Sequence, residues 1–295
     1  MTTRWIKELV THLREFSLRG MTNSAIASRF SDMGFVVTIK AVEGAKVRYG
    51  LTGLVIDDLD VPRYTSPILP EDDYMVSCDY HAPFHSAKMT NYLLMIAQKF
   101  GIKKHALIGD LFDMDWAKKW YSDSSPGFVF EKEKVGPLLD ALGYFEMNFL
   151  IRGNHENRVG RLTDGKLTAE SLYELYGGDS WKKSFRFTTF DKVSMGKWSM
   201  FHPKSYSQIT TSVAKRLAEK FRANVINTHG HLVGYGYDRS GTYEVIDIGG
   251  MFDRDKIEYI NMVTTTHPMW KNGFAMIRKG KMTHFREETD WDIYL

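Results

Sequence analysis

The chain has 295 residues, of which 43% are hydrophobic and 25% charged, enough for one large domain or a small and a large one. Its net charge of +3 is too small to name a polyanionic partner, and a single cysteine, Cys78, excludes an internal disulfide framework. No run approaches the ~18 apolar residues of a membrane helix and the N-terminus lacks an apolar signal core, so a cytoplasmic protein without membrane contact is expected.

The first 50 residues read as three short helices. Thr3 can cap a helix in which Trp5, Leu9, Leu13 and Phe16 recur at helical spacing, ending at Arg19-Gly20. Thr22 or Asn23 caps a second helix carrying Ala25, Ile26 and Phe30. After a turn at Met33-Gly34-Phe35, Thr38 caps a third running through Val42 to Tyr49. These residues hold eight Lys/Arg against four Asp/Glu. The run from Gly20 to Val42 resembles a helix-turn-helix module, whose last helix meets the major groove by its N-terminal residues. That resemblance makes Lys40 the candidate nucleic-acid contact, with Glu43 and Lys46 also facing outward. A purely structural bundle or a dimerisation module has the same pattern, so a homo-oligomer is an open alternative.

Residues 56–72 contain Pro62, Pro67 and Pro70 among acids and read as a linker between a module at 1–55 and a domain at 73–295. From residue 73, strands and helices alternate. Strands are expected at Tyr74–Cys78, at 105–108, at 147–151, at 198–201 and at 224–227, then at 243–248, 273–278 and 283–286. Helices are expected at 86–100, 131–144 and 206–221.

Five motifs follow strands of this series: Asp79-Tyr80-His81, Gly109-Asp110-Leu111-Phe112-Asp113, Gly153-Asn154-His155-Glu156, Phe201-His202 and His229-Gly230-His231. Each alone is weak, and a lone His at a strand end is more often structural. Five in series, each just beyond an apolar strand, fit the place where open α/β sheets put their sites. Asp, His and Asn without thiolate suit divalent metals: Mn first, with Fe, Zn or Ni as alternatives.

On these motifs, residues 73 to about 286 resemble the calcineurin-like metallophosphoesterases. The resemblance implies an α/β fold, a β-sandwich flanked by helices, with two divalent metal ions at one sheet edge. It implies that Asp79 and His81 bind one metal and that Asp110 bridges both. Asn154 and His202 bind the other, with a histidine of the His229/His231 pair. His155 would be catalytic, giving a proton to the leaving oxygen or steadying the transition state, and Asp113 would hold its tautomer. One place departs from the family. Its last motif reads G-H-x-H, and aligning Gly230-His231 on that motif puts Val233 where the second histidine belongs. Either one metal has only three protein ligands, or His229 and His231 form the H-x-H pair, their i, i+2 spacing on extended chain putting both on one side. The second arrangement is preferred.

The function expected is a metal-dependent phosphoesterase cutting phosphodiester bonds, in nucleic acid as a nuclease or end-processing enzyme. The alternative is a phosphomonoesterase acting on phosphoproteins or metabolites, with the N-terminal module used for docking. Arg158, one turn past His155, is the candidate substrate-binding residue. The aromatic and lysine run Phe112–Tyr121 could stack on bases or simply pack.

Overall fold

The computed structural model describes residues 5–52, 65–118, 126–177, 183–257 and 269–294. It divides into two units, residues 1–65 and 66–295. Thr3, Pro62, Lys119 to Tyr121 and Lys182 lie outside the described residues.

The first unit is three helices, α1 Lys7–Leu18, α2 Asn23–Asp32 and α3 Ile39–Arg48. Leu9, Leu13, Phe16, Ile26, Phe30, Val42 and Ala45 close a small core of their own. Helix α1 starts later than expected, after Ile6, with no side-chain cap. Thr22 and Thr38 each accept the main-chain N–H three residues on, at 3.2 and 3.1 Å, which settles α2 and α3. Lys46 corrects an expectation: its ammonium donates to the Met21 carbonyl at 3.4 Å and the side chain is buried, so it does not face outward. Lys40 and Glu43 do, together with Ile39, Gly44, Val47 and Arg48.

The second unit has two sheets. The larger runs β11-β10-β1-β2-β3-β4, from β1 Tyr74–Ser77, β2 Lys104–Ile108, β3 Met147–Ile151, β4 Phe185–Thr188, β10 Gly273–Arg278 and β11 Lys281–Arg286. Strands β1 to β4 are parallel, and β10 and β11 are antiparallel. The smaller sheet runs β5-β6-β7-β9-β8, from β5 Lys192–Met195, β6 Trp198–Phe201, β7 Asn224–Asn227, β8 Val233–Tyr237 and β9 Glu244–Ile248. Alternation assigns the faces. Tyr74 and Val76 of β1 meet Trp198, Met200, Ile226 and Ile246 between the sheets. Met75 points the other way, into a core shared with helices α4 Ala87–Phe100, α5 Phe128–Leu142 and α7 Ala169–Tyr176. Helix α8 Ser212–Phe221 covers the outer face of the smaller sheet through Ala214 and Ala218. Two sheets flanked by helices is the architecture expected.

Boundaries shift by up to three residues at several elements, as where the helix expected at 131–144 spans Phe128–Leu142, and two further places differ in kind. The expected helix at 206–221 starts only at Ser212. Thr211 takes a left-handed backbone (φ 63°), and its N–H goes to the Asp247 carboxylate instead of into a helical turn. The stretch 67–69, read as linker, belongs to the second unit: Leu69 N–H donates to Ser194 O at 2.8 Å, and its side chain is buried between the sheets. Of the run Phe112–Tyr121, the described residues up to Lys118 hold the short turn Asp115–Ala117. Trp116 packs there, donating to the Tyr176 hydroxyl at 3.1 Å.

Across the strands, His105 is fully buried, with Nδ1 2.9 Å from Asn148 Oδ1 and Nε2 2.7 Å from Ser77 Oγ. Burial lowers it to about 4, against a partial offset from Asn148. Above about pH 6.5 it is neutral folded and unfolded. As the pH falls, the unfolded chain takes up the proton first, so stability drops from about 6.5 down to about 4, by at most ~3 kcal/mol. Urea midpoints at pH 7.5 and 5 should therefore diverge less for His105→Gln than for wild type. Equal divergence would show that His105 is not the titrating group.

Candidate metal centre

Every candidate ligand leaves the carboxyl end of a strand. Asp79 and His81 follow β1, Asp110 follows β2, Asn154 and His155 follow β3, His202 follows β6, and His229 and His231 follow β7. β1, β2 and β3 lie side by side in the larger sheet and β6 and β7 in the smaller, and the loops after both sets meet, bringing together residues 150 apart in sequence. The turns are tight. A Cβ at Gly109 would overlap the His202 imidazole, and one at Gly153 the Asp110 carboxylate, so both positions require glycine. Asp79, His81, Asp110, His229 and His231 all have φ between 46° and 72°. These are half of the ten non-glycine residues with positive φ among those described. Strain of this kind, at ~1–3 kcal/mol per residue, marks a functional site.

Two groups of ligand atoms hold the expected ligands, and a third cluster joins His81, Asp113 and His155. In the first, His231 Nε2 stands 3.0 Å from Asp79 Oδ1 and 3.2 Å from His81 Nε2, and His81 Nε2 is 3.9 Å from Asp79 Oδ1. In the second, His202 Nε2 stands 3.2 Å from Asp110 Oδ2 and 3.0 Å from Asn154 Oδ1, with His229 close enough to share an ion. Ligands ~2.1 Å from one cation, at right-angle to tetrahedral spacing, lie ~3.0–3.4 Å apart. The donor sets therefore fit a divalent metal.

The two histidines of the last motif do not share a side of an extended chain. Each has a left-handed backbone (φ 72° and 52°), and the turn sends His231 to Asp79 and His81 and His229 to Asp110 and His202. His229 also donates its main-chain N–H to Asp79 Oδ2 at 3.2 Å. His155 joins neither group as a close member: its Nε2 is 3.9 Å from Asp110 Oδ2.

Charge supports the same reading. Burial opposes ionisation of Asp79, but His231 and His202 hold it down at about 2. Burial likewise opposes ionisation of Asp110 and Asp113, yet His202 and His155 pull the first well below the usual carboxylate range, and His81 pulls down the second. Burial works against His202 too, but Asp110 overcomes it and pushes it up to about 10. His81 is raised despite burial, chiefly by Asp113. Burial lowers His155 to about 3 and His229 to about 4. Three buried carboxylates thus draw protons onto His81 and His202, which is the demand a divalent cation meets.

Supporting groups were only partly visible in the sequence. Asp113 serves two histidines: its Oδ1 is 2.9 Å from His81 Nδ1, while its main-chain oxygen, not its carboxylate, makes the short 2.5 Å contact to His155 Nδ1. The carboxylate stands 3.4 Å from that nitrogen. Glu156, the last letter of G-N-H-E, had no assigned role. It accepts the main-chain N–H of Asp110, Leu111 and Gly153 at 3.1, 2.9 and 2.7 Å, tying two ligand loops together. Burial and the Asp110 charge push it up to about 7. Thr228 Oγ1, 3.0 Å from His202 Nδ1, was also missed; only its place beside His229 could have flagged it. Of the basic residues around G-N-H-E, Arg158 reaches the centre, while Arg186 bonds to the carbonyls of Lys183 and Phe185.

No protein-family model and no curated protein matches the chain. Solved structures do. The phosphoesterase Yfce from E. coli is 11% identical over 72% of this chain and 91% of its own, with a TM-score of 0.34. Vps29 from Chaetomium thermophilum is 10% identical over 74% and 91%, with a TM-score of 0.39. The nuclease MPE from Pseudomonas putida is 11% identical over 72% and 87%, with a TM-score of 0.30. Likeness at this level adds no weight to what the side-chain geometry says about activity.

Proposed function

We propose that the chain is a two-metal phosphoesterase that hydrolyses phosphodiester bonds in nucleic acid. The observation that carries this is the pair of ligand groups, the buried Asp79–His81–His231 and the mostly buried Asp110–Asn154–His202–His229, gathered at the strand ends of the two sheets. Asp110 belongs to the second group, touching His202 by one oxygen at 3.2 Å and the His155 main-chain N–H by the other at 2.9 Å, and in this proposal its carboxylate would serve both ions. Divalent cations held by these residues would neutralise phosphate oxygens and make water acidic enough to attack near neutral pH; Mn is the first choice, then Fe, Zn or Ni. The chain's own part is to fix the ligands through Glu156, Asp113 and Thr228. It also presents Arg158, with 20% of its side chain exposed, to an anionic substrate. Among the described residues no helix is long and apolar enough to cross a membrane.

The test is hydrolysis of a bis(p-nitrophenyl) diester, a p-nitrophenyl monoester and labelled DNA, each with Mn²⁺ and with chelator. Metal-dependent cutting of the diester and DNA supports the reading. Cutting of the monoester alone would move the assignment to a phosphatase.

The N-terminal unit supplies the nucleic-acid contact in this proposal. Lys40 and Arg48 lie exposed on the outward face of α3, where Gly44 leaves open space for close approach. Lys40→Glu and Arg48→Glu in the full chain should each weaken duplex binding and lower the slope of log K against log salt by about 1. Titrations at two salt concentrations that match wild type would instead favour docking or dimerisation.

A further inference from the structure

The histidine expected to donate a proton is not arranged to give one. His155 Nδ1 stands 2.5 Å from the main-chain oxygen of Asp113, which can only accept, so that nitrogen carries the hydrogen. Arg158 Nη2, which can only donate, stands 2.9 Å from His155 Nε2. Each ring nitrogen thus faces a partner with a single possible role, and Nε2 is the accepting one.

The guanidinium is itself held in place. Its Nη1 donates to the Asp113 main-chain oxygen at 2.7 Å and to Asp115 Oδ1 at 2.9 Å. Asp115 is 4% exposed, and its other oxygen is paired with Lys118. Nη2 has two N–H groups; among the described residues only His155 takes one. The Arg158 side chain is 20% exposed and that of His155 only 6%, so the arginine is the outer of the two.

We propose that Arg158, aimed by Asp115, is the residue that meets the leaving oxygen of the substrate, and that His155 orients it by accepting from Nη2. This rests on the phosphoesterase reading above. In the step, a water oxygen forms the new bond to phosphorus and its proton passes to solvent. The electron pair of the scissile P–O bond goes to the leaving oxygen. Arg158 donates a hydrogen bond to that growing charge and keeps its own proton, and the leaving oxygen takes a proton from solvent. A guanidinium suits this role because it stays charged and its fork holds two partners at once. Arg158 is then a catalytic residue and Asp115 a positioning residue.

The test compares full-length wild type, Arg158→Met, Arg158→Lys and Asp115→Asn with Mn²⁺ on two substrates. One is a dinucleotide, whose alkoxide leaves poorly; the other is a bis(p-nitrophenyl) diester, whose phenolate leaves well. Arg158→Met should lower kcat on the dinucleotide by about 10²-fold, the scale of one lost oxyanion donor, and by less than about fivefold on the nitrophenyl diester. Asp115→Asn should lower kcat on the dinucleotide with little change in KM, and Arg158→Lys should recover part of the loss. A second readout needs no turnover: ¹⁵N spectra of the protein without added metal should show His155 with its hydrogen on Nδ1, and in Arg158→Met the Nε2 resonance should shift as it loses its donor while the hydrogen stays on Nδ1. Equal losses on both substrates, or a wild-type His155 with its hydrogen on Nε2, would overturn the proposal. If wild type cuts neither diester, the functional reading fails instead, and the spectra still judge the geometry.

Discussion

Asp110→Asn should remove at least ~10²-fold of phosphoesterase activity and lower the metal content of the protein. Outer-shell partners of a metal site already carry ~10–100-fold each, and Asp110, 3.2 Å from His202, is the carboxylate proposed to serve both ions. The substitution tests charge rather than fold. Asp110 has a left-handed backbone (φ 50°), which Asn tolerates better than most residues, and an amide oxygen can still accept the His155 main-chain N–H. Loss of the charge facing His202 should lower the melting temperature, so activity and metal content are compared at a temperature where both proteins stay folded. Turnover close to wild type with a full complement of metal would sink the two-metal assignment.

His155→Ala separates chemistry from metal binding. Turnover on the dinucleotide should fall by up to about 10²-fold, no more than for Arg158→Met, because the imidazole acts by orienting that guanidinium. Metal content should stay at the wild-type level. The imidazole contacts the Asp113 carbonyl and Arg158, while the bond from residue 155 to Asp110 Oδ1 is made by the main chain and survives the change. Elemental analysis decides: loss of one metal equivalent would make His155 a ligand.

Much of the centre is legible in the chain because its geometry is local to strand ends. An apolar strand followed by Gly-Asp or Gly-Asn announces a tight turn carrying an oxygen ligand. Gly109 and Gly153 prove to be where a Cβ would strike His202 and Asp110. The three N-terminal helices are legible for a similar reason, since Leu9, Leu13, Ile26, Phe30 and Val42 mark buried faces by spacing alone. Strands β4, β5 and β8 are short and half exposed, so they leave too weak a pattern to read.

By itself the sequence determined which residue types stand beyond which strands, and hence an inventory of candidate ligands, Asp79, His81, Asp110, Asn154, His202, His229 and His231. Only the tertiary structure decided how that inventory is divided. Periodicity records which face of an element is buried, but not which distant loop it will meet. The parting of His229 from His231 depends on two left-handed backbone residues, and the sharing of Asp113 between His81 and His155 depends on strands 1, 2 and 3 lying side by side. The clamp of Asp115 on Arg158, and of Arg158 on His155, joins a turn after β2 to a helix after β3 across more than 40 residues. Hydrogen bonds of that kind are fixed by distance and angle in space, which spacing along the chain does not encode.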